Sequence, residues 1–120
     1  MEDFPSLKFY SNVTLADYRQ HYADAVVMTQ SGELLLQYRP LTWRSNPGWY
    51  TAFGGHVDAG EDIMSALQRE LNEELGAVVA TADVIPLGIV TEAETGHTEA
   101  VHVHFWHDRQ GTVTGCYEAE

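Results

Sequence analysis

Apolar and polar positions change period several times along the chain, and each change marks an element. Residues 4–23 are the least legible. Within them Thr14-Leu15-Ala16-Asp17 sets a capping hydroxyl three positions before an acid, which predicts a short helix with Tyr18 and Tyr22 on one face. From Ala25 the pattern turns to strand: an apolar run to Thr29, turn chemistry at Gln30-Ser31-Gly32, and a second run from Leu34 to Tyr38, together a hairpin. Prolines and glycine make residues 40–50 a loop. Thr51 to Phe53 is a short strand running into Gly54-Gly55, followed by the turn residues Asp58-Ala59-Gly60. Asp62 is an N-cap for a helix over Ile63–Leu75, and Gly76 is its left-handed stop. Ile63, Leu67 and Leu71 recur every four residues, with Met64 and Leu75 widening the stripe, so one side of this helix faces a core. Strands are expected over Val84–Thr91, Ala100–His107 and Thr112–Tyr117. The second alternates Val101, Val103 and Phe105 against His102, His104 and Trp106. Strands around one internal helix predict an α+β fold.

Composition and charge narrow the function classes. At 120 residues with 44% hydrophobic and 20% charged positions, and no repeat or linker, residues 1–120 read as one domain. Asp plus Glu number 18 against 6 Lys plus Arg, a formal charge of −12, so nucleic-acid backbones and anionic membranes are poor partners. A small phosphorylated ligand stays open, because a carboxylate-held divalent cation reverses the local field. The single cysteine, Cys116, excludes an intramolecular disulfide and a cysteine-based zinc site. No apolar run reaches membrane-helix length, and Met1–Pro5 lacks the basic start and apolar stretch of a signal peptide. The expectation is a soluble cytoplasmic protein.

The chemistry concentrates in the second half of the helix. Glu70, Glu73 and Glu74 stand at i, i+3 and i+4 and project onto one surface beside the apolar stripe. Fully solvated, such neighbours cost little. Lining a cleft at about 4 Å, each pair repels by about 4 kcal/mol at an effective dielectric near 20, so a cleft requires a cation. Oxygen ligands without cysteine point to Mg²⁺, or Mn²⁺ as a substitute, rather than zinc. Gly54-Gly55 lets backbone approach the same place, and a glycine carbonyl is itself a hard ligand.

Gly55, five residues, Glu61, seven residues, then Arg69-Glu70-Leu71-Asn72-Glu73-Glu74-Leu75-Gly76-Ala77 resembles the Nudix box, with every charged and glycine position filled over 55–77. Only Ala77 departs, being smaller than the bulky aliphatic residue of the pattern. The resemblance implies an α/β/α sandwich with a mixed sheet and a loop-helix-loop holding divalent metal against a diphosphate. It implies that the Gly55 carbonyl, Glu73 and Glu74 ligate metal, that Glu70 belongs to the same metal site and is a general base or organises the attacking water, and that Glu61 and Arg69 support the box. Family members commonly continue past the strand that 112–117 resembles, with a closing helix. An apolar patch is therefore expected, covered in a homodimer or leaving the protein marginal.

Outside the box the alternatives stay open. Glu118 lies where some members place a further metal-binding or base carboxylate, or it is an ordinary exposed glutamate. Arg39 would hold a substrate phosphate, or be a solvated arginine at a strand end. His56 would line the pocket or sit on a surface loop. Trp43, Trp49 and Tyr50 would stack on a base or, more simply, seal a core edge. His102 and His104, with His97 and His107 nearby, invite a metal reading, but a polar sheet face is the expectation.

The first functional reading is a Mg²⁺-dependent hydrolase cleaving the diphosphate linkage of a nucleoside diphosphate linked to another moiety, foremost a nucleoside triphosphate or modified nucleotide. Two rivals remain. Chemistry like that of isopentenyl-diphosphate isomerase is suggested by Tyr38-Arg39 before a loop with Pro47-Gly48, although Cys116 falls after the box and not before it. A catalytically silent nucleotide-binding module is the other, although no box carboxylate is missing.

Overall fold

The computed structural model describes residues 14–92 and 95–118; the expectations about Met1–Pro5 lie outside them. A five-stranded mixed sheet is built on β1 (Gln20–Met28). On one side β1 pairs in parallel with β7 (Glu99–His107), which pairs antiparallel with β6 (Val84–Val90). On the other it pairs antiparallel with β2 (Leu34–Leu35) at its end and with β5 (Phe53–His56) at its start. A separate ribbon joins β3 (Gln37–Tyr38) to β4 (Tyr50–Thr51).

The single helix, α1 (Ile63–Leu75), begins and ends as the sequence predicts. Asp62 accepts from the Ser65 amide at 2.7 Å, and Gly76 closes the helix with φ 65°. Its stripe of Ala66, Leu67, Leu71 and Leu75 packs on Ala23, Ala25, Val27, Phe53 and Trp106. Leu67 and Leu71, both fully buried, contribute about 1.5–3 kcal/mol each relative to exposure. The described residues thus supply the sheet and one of the two helical layers expected of an α/β/α sandwich. This helix is neither long nor apolar enough to cross a membrane.

Several expectations are corrected. The helix expected from Thr14 is a single 3₁₀ turn, Leu15–Asp17, because the Arg19 amide already bonds to the Thr98 carbonyl at 2.7 Å and draws the chain into the sheet. Tyr22 therefore lies in β1, which starts five residues before the expected strand. The run Leu34–Tyr38 breaks at exposed Leu36, one half joining the sheet and the other the ribbon. His102 and His104 do not form a polar face: they are 8% and 6% exposed, on the covered side with Trp106. They lie opposite Ala23 and Ala25, whose small side chains leave room for imidazoles. His102 Nε2 lies 2.9 Å from His21 Nδ1, and His104 Nδ1 lies 3.0 Å from the Asp24 carbonyl oxygen. Burial, then the charges of His21 and His104, hold His102 below the ordinary histidine range.

The strand expected over Thr112–Tyr117 forms no ladder. The segment instead crosses the C-terminal end of α1, where carbonyls lack partners within the helix. The Thr114 amide donates to the Leu75 carbonyl at 2.9 Å, and the Tyr117 amide to the Glu74 carbonyl at 2.7 Å. Buried Asp108 starts this crossing by accepting from the Thr112 and Val113 amides and from the Thr112 hydroxyl. On the outer strand β6, Ile85, Leu87 and Val90 are half or more exposed.

Candidate functional site

Gly54 and Gly55 lie inside β5 on the sheet edge against which α1 packs, so helix carboxylates meet strand backbone there. A Cβ on Gly55 would stand 2.7 Å from the Glu70 carboxyl carbon; the glycine leaves a cradle that the Glu70 carboxylate fills. One turn on, Glu74 accepts from the Gly54 amide at 3.2 Å and is only 5% exposed. Gly54 has φ 145°, a conformation side chains rarely adopt, and a Cβ there would strike the Ala23 carbonyl and the Asp24 carboxylate.

The crossing segment brings Glu118 to Glu74. Burial, then a hydrogen bond shared with Glu118 and the Glu118 charge, push Glu74 far above the usual carboxylate range; the Gly54 amide partly offsets this, and Glu70 adds to it. Glu118 Oε2 is buried without a hydrogen-bond partner, while its Oε1 lies 3.8 Å from Arg39 Nη1. Arg39 is no solvated strand end: it is 14% exposed, donates to the Ser45 carbonyl and stacks over the Trp43 ring at 4.7 Å. A cavity of about 470 Å³ borders Trp43, Phe53, Val113, Cys116 and Glu118. Trp49 and Tyr50 are exposed, and Tyr50 packs on Tyr38.

Glu73 stands apart from this interior group. Its side chain is 58% exposed, and Arg69 Nη1 bridges it at 3.5 Å to Glu70 at 2.9 Å. Arg69 also grips Glu61 with two parallel bonds of 2.9 Å and donates to the His56 carbonyl, tying helix to loop. Hydrogen bonds from Arg69, then from the Asp58 amide, lower Glu61 to about 2. The same contacts hold the guanidinium charged. The His56 ring is exposed and packs on Tyr22, 4.3 Å between centroids.

One carboxylate in this group was missed in the sequence. Asp24, in the middle of β1 and paired with Gly54, has its carboxyl raised to about 7 by burial, then by the charges of Glu70 and Glu118. The signal was an acid directly before the apolar run that starts at Ala25.

The residues fit a divalent cation by three observations: the all-oxygen donor set, the glycine cradle against Glu70, and the orphaned oxygen of Glu118. Among the described residues no three acidic, histidine or cysteine groups stand close enough together to hold a metal ion as they are.

Comparison with known proteins agrees with this geometry. The family model for the NUDIX domain matches residues 19–120. The chain is 30% identical over 91 residues to a CTP pyrophosphohydrolase of Escherichia coli (strain K12), covering 74% of this chain and 64% of that protein. It is 36% identical over 81 residues to an oxidized purine nucleoside triphosphate hydrolase of Danio rerio, covering 68% and 49%. The match to the NAD-capped RNA hydrolase NudC of Pseudomonas aeruginosa is 38% identical over 60 residues, half of this chain and 20% of that protein. The chain thus spans between a fifth and about two thirds of the length of these relatives. Among solved structures, a MutT NUDIX hydrolase from Burkholderia pseudomallei superposes with a TM-score of 0.65 at 26% identity, covering 82% of this chain and 74% of that one. With a box whose spacing matches the pattern and a family model matching residues 19–120, the chain belongs to the Nudix family.

Proposed function

We propose that the chain is a Mg²⁺-dependent hydrolase that cleaves the diphosphate linkage of a nucleoside diphosphate linked to another group, with a nucleoside triphosphate or modified nucleotide as its first substrate class. The observation that carries this reading is the placement of Glu70 against Gly55 and of Glu74 on the Gly54 amide, with Glu118 beside Glu74, so that burial and mutual charge oppose ionisation where a cation would favour it. The names of the relatives, a CTP pyrophosphohydrolase and an oxidized purine nucleoside triphosphate hydrolase, favour the same substrate class.

Gly55 through its carbonyl, with Glu73, Glu74 and Glu118, would hold the metal, and Mn²⁺ would substitute for it. Bound there, the ion neutralises phosphoryl charge and makes attack by water easier. Glu70, held against Gly55 and steadied by Arg69, accepts the proton of the attacking water or orients that water. Glu61 and Arg69 keep the loop and helix in register so that these carboxylates stay aimed. Arg39, already turned toward Glu118, would exchange that partner for a substrate phosphate, and Gly54 and His56 would border the diphosphate. The protein's acidity argues against polynucleotide partners, and an exposed free thiol at Cys116 suits a cytoplasmic setting.

Phosphate and pyrophosphate release, measured across a nucleotide panel with and without Mg²⁺, tests this reading. Release that requires Mg²⁺ and is abolished by Glu74→Gln is expected. Full turnover in both Glu73→Gln and Glu74→Gln would overturn the assignment, and isomerisation of an allylic diphosphate without release would favour the isomerase-like rival.

A further inference from the structure

We propose that the cavity between the β3–β4 ribbon, the C-terminal end of α1 and the crossing segment receives the heterocyclic base of the substrate, and that Gln37 reads this base by donating a hydrogen bond to an acceptor on the ring; this rests on the nucleotide-hydrolase reading above. At about 470 Å³ the cavity has the size of a small-molecule site. Leu35, Phe53, Leu75 and Val113 give it apolar walls suited to a planar ring. Phe53 and Leu75 are the chain neighbours of Gly54 and Glu74, so a diphosphate held at the glycines lies at the cavity's border. Arg39 stands at that border too, over Trp43 at 4.7 Å and 3.8 Å from Glu118.

Apolar walls alone would equally suit a hydrocarbon chain. Gln37 decides between the two occupants. It is 5% exposed, and its amide oxygen accepts from the Thr51 hydroxyl at 3.4 Å. Its amide nitrogen has no hydrogen-bond partner among the described residues, yet it is not one of the polar atoms sealed from solvent without a partner. The nitrogen therefore opens on the cavity that Gln37 lines. A hydrocarbon tail would bury this donor unsatisfied, at a cost in affinity, whereas a base offers it a ring carbonyl or a ring nitrogen.

The test uses Cys116, the chain's single cysteine, which is exposed at the cavity's border and takes no part in holding the ligand. The rate at which an aromatic disulfide reagent labels this thiol in the full chain is measured with GMP, CMP, UMP, AMP, ribose phosphate or dimethylallyl diphosphate present. A base in the cavity predicts that at least one of the four nucleotides slows labelling at concentrations where ribose phosphate does not. Gln37→Met keeps the length of the side chain and removes the donor; with its fold checked by circular dichroism, it should need about tenfold more nucleotide for the same protection. Its turnover of nucleoside triphosphates should show a raised KM at little changed kcat, a split that a merely structural role for Gln37 would not produce. Equal protection by ribose phosphate and nucleotides, protection by dimethylallyl diphosphate alone, or wild-type protection in Gln37→Met would each overturn this inference, and Mg²⁺-dependent nucleotide hydrolysis beside any of them would leave the proposed hydrolase intact. No protection by any nucleotide together with no hydrolysis would overturn both.

Discussion

Replacing Asp24 by asparagine should stabilise the metal-free protein, and by an amount that depends on pH. The folded chain keeps the Asp24 proton until about pH 7, whereas the unfolded chain releases it near the ordinary value of 3.8. Between those values folding takes up a proton, so stability falls as pH rises, and the deficit is complete above about pH 7. At about 1.4 kcal/mol per pH unit, the displacement withholds on the order of 4 kcal/mol at pH 8 and about half of that at pH 5.5. Asparagine keeps the shape and carries no charge. Urea unfolding with chelator present should therefore show Asp24→Asn more stable than wild type by up to about 4 kcal/mol at pH 8, with the gain shrinking by about 2 kcal/mol at pH 5.5. A gain that does not change with pH, or a variant less stable than wild type at pH 8, would refute the placement of this acid among Glu70 and Glu118.

Three further outcomes follow from named contacts. Gly55→Ala puts a methyl 2.7 Å from the Glu70 carboxyl and forces it off the strand, so turnover should fall about a hundredfold while urea unfolding shows a loss of about 1–3 kcal/mol. Asp108→Ala strips three hydrogen bonds from a side chain that is 1% exposed; a loss of about 3 kcal/mol in urea unfolding is expected, and under about 1 kcal/mol would contradict the anchoring role of that turn. Cys116→Ser should leave nucleotide turnover unchanged, since the thiol is exposed and lies after the box; lost turnover would revive the isomerase-like reading.

What the sequence made legible follows from how local each determinant is. The helix was readable to the residue because its cap, its apolar stripe and its stop lie within fifteen consecutive positions from Asp62 to Gly76. The box was readable for the same reason, and the Arg69–Glu61 pair joins groups only eight residues apart. The inverted face of β7 was not readable, because alternation gives two faces without saying which is covered. The decision came from Ala23 and Ala25, about eighty residues away in sequence, whose small side chains admit His102 and His104. The composition of the tail over 112–117 suits a strand, but the unpaired carbonyls of Leu75 and Glu74 captured its amides first. That capture carries Glu118 to Glu74, and Asp24 reaches the same place only through the parallel and antiparallel pairings of β1. Both are consequences of tertiary structure.

A crystal structure of the protein with Mn²⁺ and a non-hydrolysable nucleotide, read by anomalous scattering, tests the central claim most directly. The account predicts manganese between β5 and α1, ligated by the Gly55 carbonyl and by Glu74 together with its neighbouring carboxylates, and in contact with the diphosphate. Manganese bound elsewhere, with the oxygens of Glu70 and Glu74 turned away from it into solvent, would contradict the account.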